Sequence, residues 1–332
     1  MAESPDVPQR DPGPETTVEG PGSTHLGRAS GSSWVGRSWR LLRMPLILCV
    51  VVLLLGRCGM ADRLFYHPIR EATPAPTWLH PGAEAFWVDT PDGTRLRAWF
   101  VPGTDPDDPD DLPSRRATVV HVHGNAGNMN YHVDFTSHLA AHGFNLVLFD
   151  YRGFGESGGS ARRRAEMIDD TRQALRAVAA RDDVDASRLG VFGQSLGGAI
   201  AISALVAELD EPNGVRVRAL VLESPFSSWR GIAANAVGGD PPFLPARWLA
   251  AALVDDSYSP LDAAPRLTVP TLIVHGDADR IVPPSHGRRL AEVLPDAQLE
   301  ILVGGDHNTL MRTHSEVGVL VRAFFERALT EP

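Results

Sequence analysis

Gly193-Gln194-Ser195-Leu196-Gly197 decides the reading of this chain. The pentapeptide follows a short apolar stretch, Leu189 to Phe192, and opens onto Gly198 to Glu208, a run of small and aliphatic residues compatible with a helix. Strand, tight turn and helix are the setting in which G-x-S-x-G forms a nucleophile elbow. Glycines two before and two after the serine let strand and helix approach closely while the serine occupies a strained turn. The turn presents the Ser195 hydroxyl at the sheet edge, above a helix N-terminus. A Ser/Gly-rich turn matching by chance is the competing reading, and the rest of the chain argues against it.

Three further segments fall in a consistent order. Thr118 to His123 reads as a buried strand entering Gly124-Asn125-Ala126-Gly127. Thr271 to Gly276 reads as another, entering Asp277-Ala278-Asp279, and Leu299 to Val303 as a third, entering Gly304-Gly305-Asp306-His307. The order is serine, acid, histidine, each just after a strand; the chymotrypsin and subtilisin folds use other orders. A serine hydroxyl needs an adjacent base at neutral pH, and His307 has the position for it. A buried carboxylate then fixes the imidazole tautomer. Asp279 and Asp277 compete for that role. Asp279 is favoured because the loop needs a few residues to turn back towards His307, whereas Asp277 and Asp306 suit turn capping. In such an arrangement the loop after the third strand supplies one oxyanion-hole amide, and Leu196, after the serine, supplies the other.

The strings HGNAGN (His123 to Asn128), DYRGFGESGG (Asp150 to Gly159), GQSLGG, HGDADRIVP and GGDHNTL together resemble one branch of the α/β-hydrolase superfamily, the Bem46-, ABHD13- and ABHD17-like group. The likeness runs from about Arg63 to Phe325. It implies an α/β-hydrolase fold, a mostly parallel central sheet with helices on both faces and a small cap. It also implies Ser195 as nucleophile, Asp279 as acid, His307 as base, and an oxyanion hole at Asn125 and Leu196. No cofactor is implied. Some members of the group resemble protein depalmitoylases, but no residue here singles out a thioester, and this fold hosts many chemistries.

Composition agrees. The chain has 332 residues and 43% hydrophobic content, enough for one large core. A net charge of −10 argues against nucleic acid, which requires a basic surface. Part of it is local, in the Pro-rich stretch with Asp105, Asp107, Asp108, Asp110 and Asp111, which reads as a solvated loop between the second and third strands. Both cysteines, Cys49 and Cys58, lie near the N-terminus, so the segment from residue 62 onward has no disulfide, thiolate nucleophile or cysteine-ligated metal.

The chain divides at its N-terminal end. Residues 1–38 are rich in Pro, Gly, Ser and Thr and cannot bury enough surface to fold, so they read as a disordered tail. Residues 39–61 contain the apolar run Met44 to Leu55, flanked by Arg40, Arg43 and Arg57. That run is short for a bilayer span, and the flanks extend it if the arginines snorkel, so a single-pass signal anchor is expected. Arg28, Arg37, Arg40 and Arg43 precede it and Arg57, Arg63 and Arg70 follow, a slim bias towards an extracytoplasmic domain. Residues 62–332 form the expected catalytic domain.

Ala85 to Asp89 and Arg95 to Val101 flank the turn Thr90-Pro-Asp-Gly93, a hairpin. Tyr131 to Ala141 and Ala165 to Ala180 read as helices, Asn145 to Tyr151 and Val217 to Leu222 as strands. GFGESGG lacks the Lys-Ser/Thr of a phosphate loop and reads as a structural turn. Residues 223–269 are the expected cap, carrying Phe226, Trp229, Phe243, Leu244, Trp248 and Leu249. Phe226 and Trp229 are candidates to line an acyl pocket, although most such side chains serve only to pack the cap on the body. His121 and His123 read as structural, with His123 supporting the oxyanion loop, and His275 as a prop for the acid loop. His286 and His314 are lesser candidates for the base. The expected activity is hydrolysis of carboxylic esters or thioesters of a small-molecule or lipid-like acyl substrate. Peptidase activity of the prolyl-oligopeptidase or serine-aminopeptidase type, and a non-catalytic binding role, are the alternatives.

Overall fold

The computed structural model describes residues 66–104, 112–237 and 244–330. The acidic run at 105–111, the tail at 1–38 and the apolar segment at 39–61 lie outside the described residues. Among the described residues no helix is long and apolar enough to cross a membrane.

An antiparallel hairpin, β1 (Glu84–Asp89) and β2 (Arg95–Val101), opens the sheet. There follow β3 (Thr118–Val122), β4 (Asn145–Phe149), β5 (Leu189–Gln194), β6 (Ala219–Glu223), β7 (Thr271–Gly276) and β8 (Ala297–Leu302). The eight strands lie in the order β1-β2-β4-β3-β5-β6-β7-β8. β2 pairs antiparallel with β4, and every pairing from β4 to β8 is parallel.

Parallel strands covered on both faces are expected to be apolar throughout. β3, β4, β5, β6 and β7 are buried at every position, whereas the edge strand β8 is only partly buried. Successive side chains point to opposite faces. Val191, Leu220, Leu222 and Ile273 enter one core cluster, with α1 (Arg164–Ala179), α2 (Leu196–Leu209) and Trp229 of α3 (Trp229–Ala236). Phe192, Val221, Leu272 and Val274 enter the other. Helix α4 (Leu244–Leu253) lies near α3, α5 (Ser285–Val293) joins the first cluster through Leu290, and α6 (Ser315–Thr330) covers the second face through Val317, Val321 and Phe325. Each fully buried aliphatic or aromatic side chain of these faces contributes about 1.5–3 kcal/mol.

One expected helix is broken. Tyr131 to Ala141 forms a turn at Met129–His132, a 3-10 turn at Val133–Phe135 and a second turn at Ser137–Ala140. The break falls at Thr136, which leaves helical geometry (φ −125°, ψ −7°) and is buried, its hydroxyl 3.0 Å from His121 Nδ1. A tertiary hydrogen bond to the sheet overrides the local helical pattern.

Candidate active site

Ser195 joins β5 to α2 with φ +50° and ψ −111°, a left-handed backbone that a non-glycine residue occupies only when its surroundings hold it. Its amide donates to the Glu223 carbonyl at 2.8 Å, which ties the turn to the end of β6. The flanking glycines are required for space. A Cβ on Gly197 would stand 1.8 Å from the Val122 carbonyl oxygen, and one on Gly193 would stand 2.8 Å from the Gly198 Cα.

The loops after β7 and β8 bring in the other two groups. His307 Nε2 lies 3.0 Å from Ser195 Oγ, and His307 Nδ1 lies 2.7 Å from Asp279 Oδ2. All three are buried. Asp279 Oδ1 accepts the amides of Ile281 at 2.9 Å and Val282 at 2.8 Å. His275 Nε2 donates to the Val282 carbonyl at 2.8 Å and lies 3.5 Å from Asp279 Oδ2, so it props the acid loop. Burial opposes the charge on Asp279, but hydrogen bonds from His275 and His307 overrule it and hold the carboxyl well below the ordinary carboxylate range. Burial likewise opposes protonation of His307, and the hydrogen bond and charge of Asp279 raise it above its ordinary value.

Asp277 is exposed and accepts the Gly304 amide at 2.6 Å, and Asp306 caps its own turn at the Asn308 amide. Neither carboxylate hydrogen-bonds His307. His286 is held by Ser227 and Asn235, and His314 by the Val303 carbonyl, away from the serine. His123 Nδ1 lies 2.8 Å from the Gly124 carbonyl and Nε2 3.4 Å from Asp150 Oδ1, under the loop that follows β3.

Asn125, Leu196, Phe226 and Trp229 share a cavity of about 280 Å³ with Ser195 and His307; Ile232, Ile281 and Val282 add to its apolar wall. Leu196 opens α2, so its amide has no acceptor within the helix. Phe226 and Trp229 meet edge-on at 4.8 Å and are nearly inaccessible. Trp229 also donates to the Tyr258 carbonyl at 3.1 Å and lies under Arg164 at 4.3 Å, so it packs this segment onto the body as well as lining the cavity. Trp248 and Leu249, on α4, are 77% and 56% exposed and line no part of this cavity. A larger cleft of about 580 Å³ shares His132, Gln194 and Asn308 with it.

Three groups escape a sequence reading. Glu223, at the last position of β6, is fully buried, and burial, with Asp279 adding to it against the pull of His307, pushes its carboxyl up to about 7. Gln194 Oε1 lies 2.7 Å from His132 Nδ1, and His132 Nε2 lies 2.9 Å from the Ala126 carbonyl in the loop after β3. The only local sign was a carboxylate at the end of an apolar strand, which a solvent-facing strand end shows equally well.

The doubly covered parallel sheet and the strained serine at its strand-to-helix turn define an α/β hydrolase of the serine-hydrolase type. The chain belongs to the family described as serine aminopeptidase, S33, whose model matches residues 113–259 and 244–313. It is similar to YfhR of Escherichia coli strain K12, with 34% identity over 81% of this chain and 87% of that protein. It is also similar to bem46 of Schizosaccharomyces pombe, with 28% identity over 65% of this chain and 67% of that one. Among solved structures, an esterase of Pyrococcus furiosus has the same fold, with a TM-score of 0.62 and 21% identity over 80% of this chain and 98% of the esterase.

Proposed function

We propose that the protein hydrolyses carboxylic esters or thioesters through a Ser195-His307-Asp279 triad and an acyl-enzyme. The observation that carries this reading is the unbroken chain of contacts, 3.0 Å from Ser195 Oγ to His307 Nε2 and 2.7 Å from His307 Nδ1 to Asp279 Oδ2. With Nδ1–H directed at the Asp279 carboxylate, the Nε2 lone pair faces the serine hydroxyl. Oγ attacks the acyl carbon as its proton passes to Nε2, and the carbonyl oxygen becomes an oxyanion received by the amides of Asn125 and Leu196. Nε2–H then protonates the departing alkoxide or thiolate. Water, deprotonated by the same nitrogen, cleaves the acyl-enzyme, and the acid leaves.

The cavity wall supports acyl substrates. Leu196, Phe226, Trp229, Ile232, Ile281 and Val282 form an apolar surface, and no carboxylate is among the described residues lining it. An aminopeptidase holds the free amine of its substrate, and a carboxylate is the natural group for that grip. Its absence from this lining favours an ester or thioester over a peptide with a free N-terminus. In this reading the apolar segment at 39–61 tethers the domain to a membrane, where lipid-like acyl substrates are concentrated.

Full-length protein assayed with p-nitrophenyl esters of graded acyl length, beside Ser195→Ala, tests the reading. Turnover confined to the protein with Ser195 supports it. Labelling of Ser195 by a fluorophosphonate without ester turnover would move the substrate class to peptides, and no labelling at all would point to a binding role.

A further inference from the structure

The cleft of about 580 Å³ has no part in the proposed reaction so far, yet it shares a wall with the catalytic cavity. His132, Gln194 and Asn308 line both. Gln194 precedes the nucleophile and Asn308 follows the base, so the cleft begins beside the reacting pair. Met311, Arg312 and, on α6, Gly318 and Arg322 continue its wall, on the segment that runs on from His307. The two spaces differ in charge. No arginine, lysine or carboxylate is among the described residues lining the catalytic cavity. The cleft carries Arg312 and Arg322 against one carboxylate, Asp134, on a chain of net charge −10. Arg312 is exposed and enters no salt bridge among the described residues. Arg322 lies 3.6 Å from Glu326, beyond hydrogen-bond length, and its Nε has no hydrogen-bond partner among the described residues. Burial first, then His142 and Arg322, lower His138 to about 4, so the permanent cations of the cleft are the two guanidiniums.

Gly318 helps to keep this space open. It lies near the start of α6 without a left-handed φ, where glycine is a weak helix former. A Cβ there would meet only the His138 ring, at 3.6 Å, which is ordinary contact. Neither backbone conformation nor packing requires glycine at 318, and the missing side chain leaves room beside His138. The chemistry says which half of a substrate belongs here. His307 Nε2–H protonates the departing group, so that group lies on the side of the base. The cleft is on that side, bounded by Asn308, Met311 and Arg312, while the apolar cavity suits the acyl chain. Guanidinium forks match phosphate oxygens in both charge and geometry.

We propose that this cleft is the leaving-group subsite, selecting acyl esters or thioesters whose alcohol or thiol carries a phosphate held by Arg312 and Arg322. Its chemistry rests on the proposed ester hydrolysis. Ser195 Oγ bonds to the acyl carbon, the acyl–oxygen or acyl–sulfur bond breaks, and the leaving atom takes the His307 proton. The phosphate departs unchanged with it. A lipid alcohol and a soluble thiol can carry the same phosphate, so two substrate pairs separate the sources. Full-length protein is assayed on octanoyl glycerol phosphate against octanoyl glycerol, and on octanoyl-coenzyme A against octanoyl-N-acetylcysteamine. At least one phosphorylated member should exceed its neutral partner in kcat/KM by about tenfold or more. Arg312→Gln combined with Arg322→Gln should bring that ratio near one, and a ratio does not depend on how much enzyme is folded. Preference in the glycerol pair alone assigns a lipid source and in the coenzyme A pair alone a soluble one; either supports the subsite. No preference in either pair, or a ratio that the double variant keeps, overturns the proposal. Should wild type hydrolyse neither these nor p-nitrophenyl esters, the ester reading falls, and calorimetric binding of glycerol phosphate and coenzyme A decides the subsite. Binding weakened about tenfold in the double variant upholds it; absent or unchanged binding overturns it.

Discussion

His307 Nδ1 stands 2.7 Å from Asp279 Oδ2, and the other oxygen of that carboxylate is held by two amides of its own loop. The carboxylate is therefore fixed before it fixes the imidazole. Asp277, two residues earlier, spends its oxygen on the Gly304 amide and so joins the two loops that carry the acid and the histidine.

That division of labour separates two nearly identical substitutions. Asp279→Asn leaves the imidazole without its carboxylate and should reduce kcat by about 10⁴-fold. Asp277→Asn removes a loop hydrogen bond and should change kcat by less than about tenfold. Ser195→Ala and His307→Ala should each abolish nearly all turnover, and a double variant should be little worse, because the groups act as a unit. Equal losses from both aspartate variants would sink the assignment of the acid.

The pH profile follows from the raised His307. Only the neutral imidazole accepts the serine proton, so kcat/KM should fall as pH drops through a midpoint above the ordinary histidine value. In Asp279→Asn the hydrogen bond and charge that raise it are gone while burial still lowers it, so the residual activity should show its acid limb at lower pH. An unmoved limb in that variant would separate it from His307.

Gly197 should tolerate no side chain. A methyl group there would stand 1.8 Å from a backbone oxygen of β3, an atom that cannot swing aside. Gly197→Ala should cost about 3 kcal/mol or more, read as a lower urea midpoint at unchanged slope. Normal stability in that variant would mean the elbow and β3 separate more easily than the packing indicates.

Phe226 and Trp229 line the same wall and should behave differently. Phe226→Ala opens the cavity and should shift preference towards longer acyl chains. Trp229→Ala also deletes the hydrogen bond to Tyr258 and the contact with Arg164, and should destabilise by about 3–5 kcal/mol. Graded esters and denaturant melts of both variants distinguish the two roles; matching phenotypes would remove the distinction.

Much of the fold was legible because its signals are local. Buried strands read as apolar runs, and the elbow reads as glycines at fixed offsets around Ser195, since both are set by what one segment can do beside any neighbour. The helix expected over 131–141 failed because Thr136 answers to His121 across the sheet, a partner that helical periodicity does not encode. Phe226 and Trp229 reach the cavity, whereas Trp248, equally apolar on paper, faces outward.

The sequence by itself determined the residue types, the order serine, acid, histidine, and the strand ends that carry them. Those follow from composition and spacing along one chain. Only the tertiary structure put Asp279, and not Asp277, against His307, because two residues of loop are resolved by which carboxylate the loop amides turn inward. Only the tertiary structure buried Glu223 at the end of β6 and joined Gln194 through His132 to the loop after β3. Hydrogen bonding and desolvation act between groups far apart in the chain, and their strength depends on burial that exists only once the sheet has closed around them.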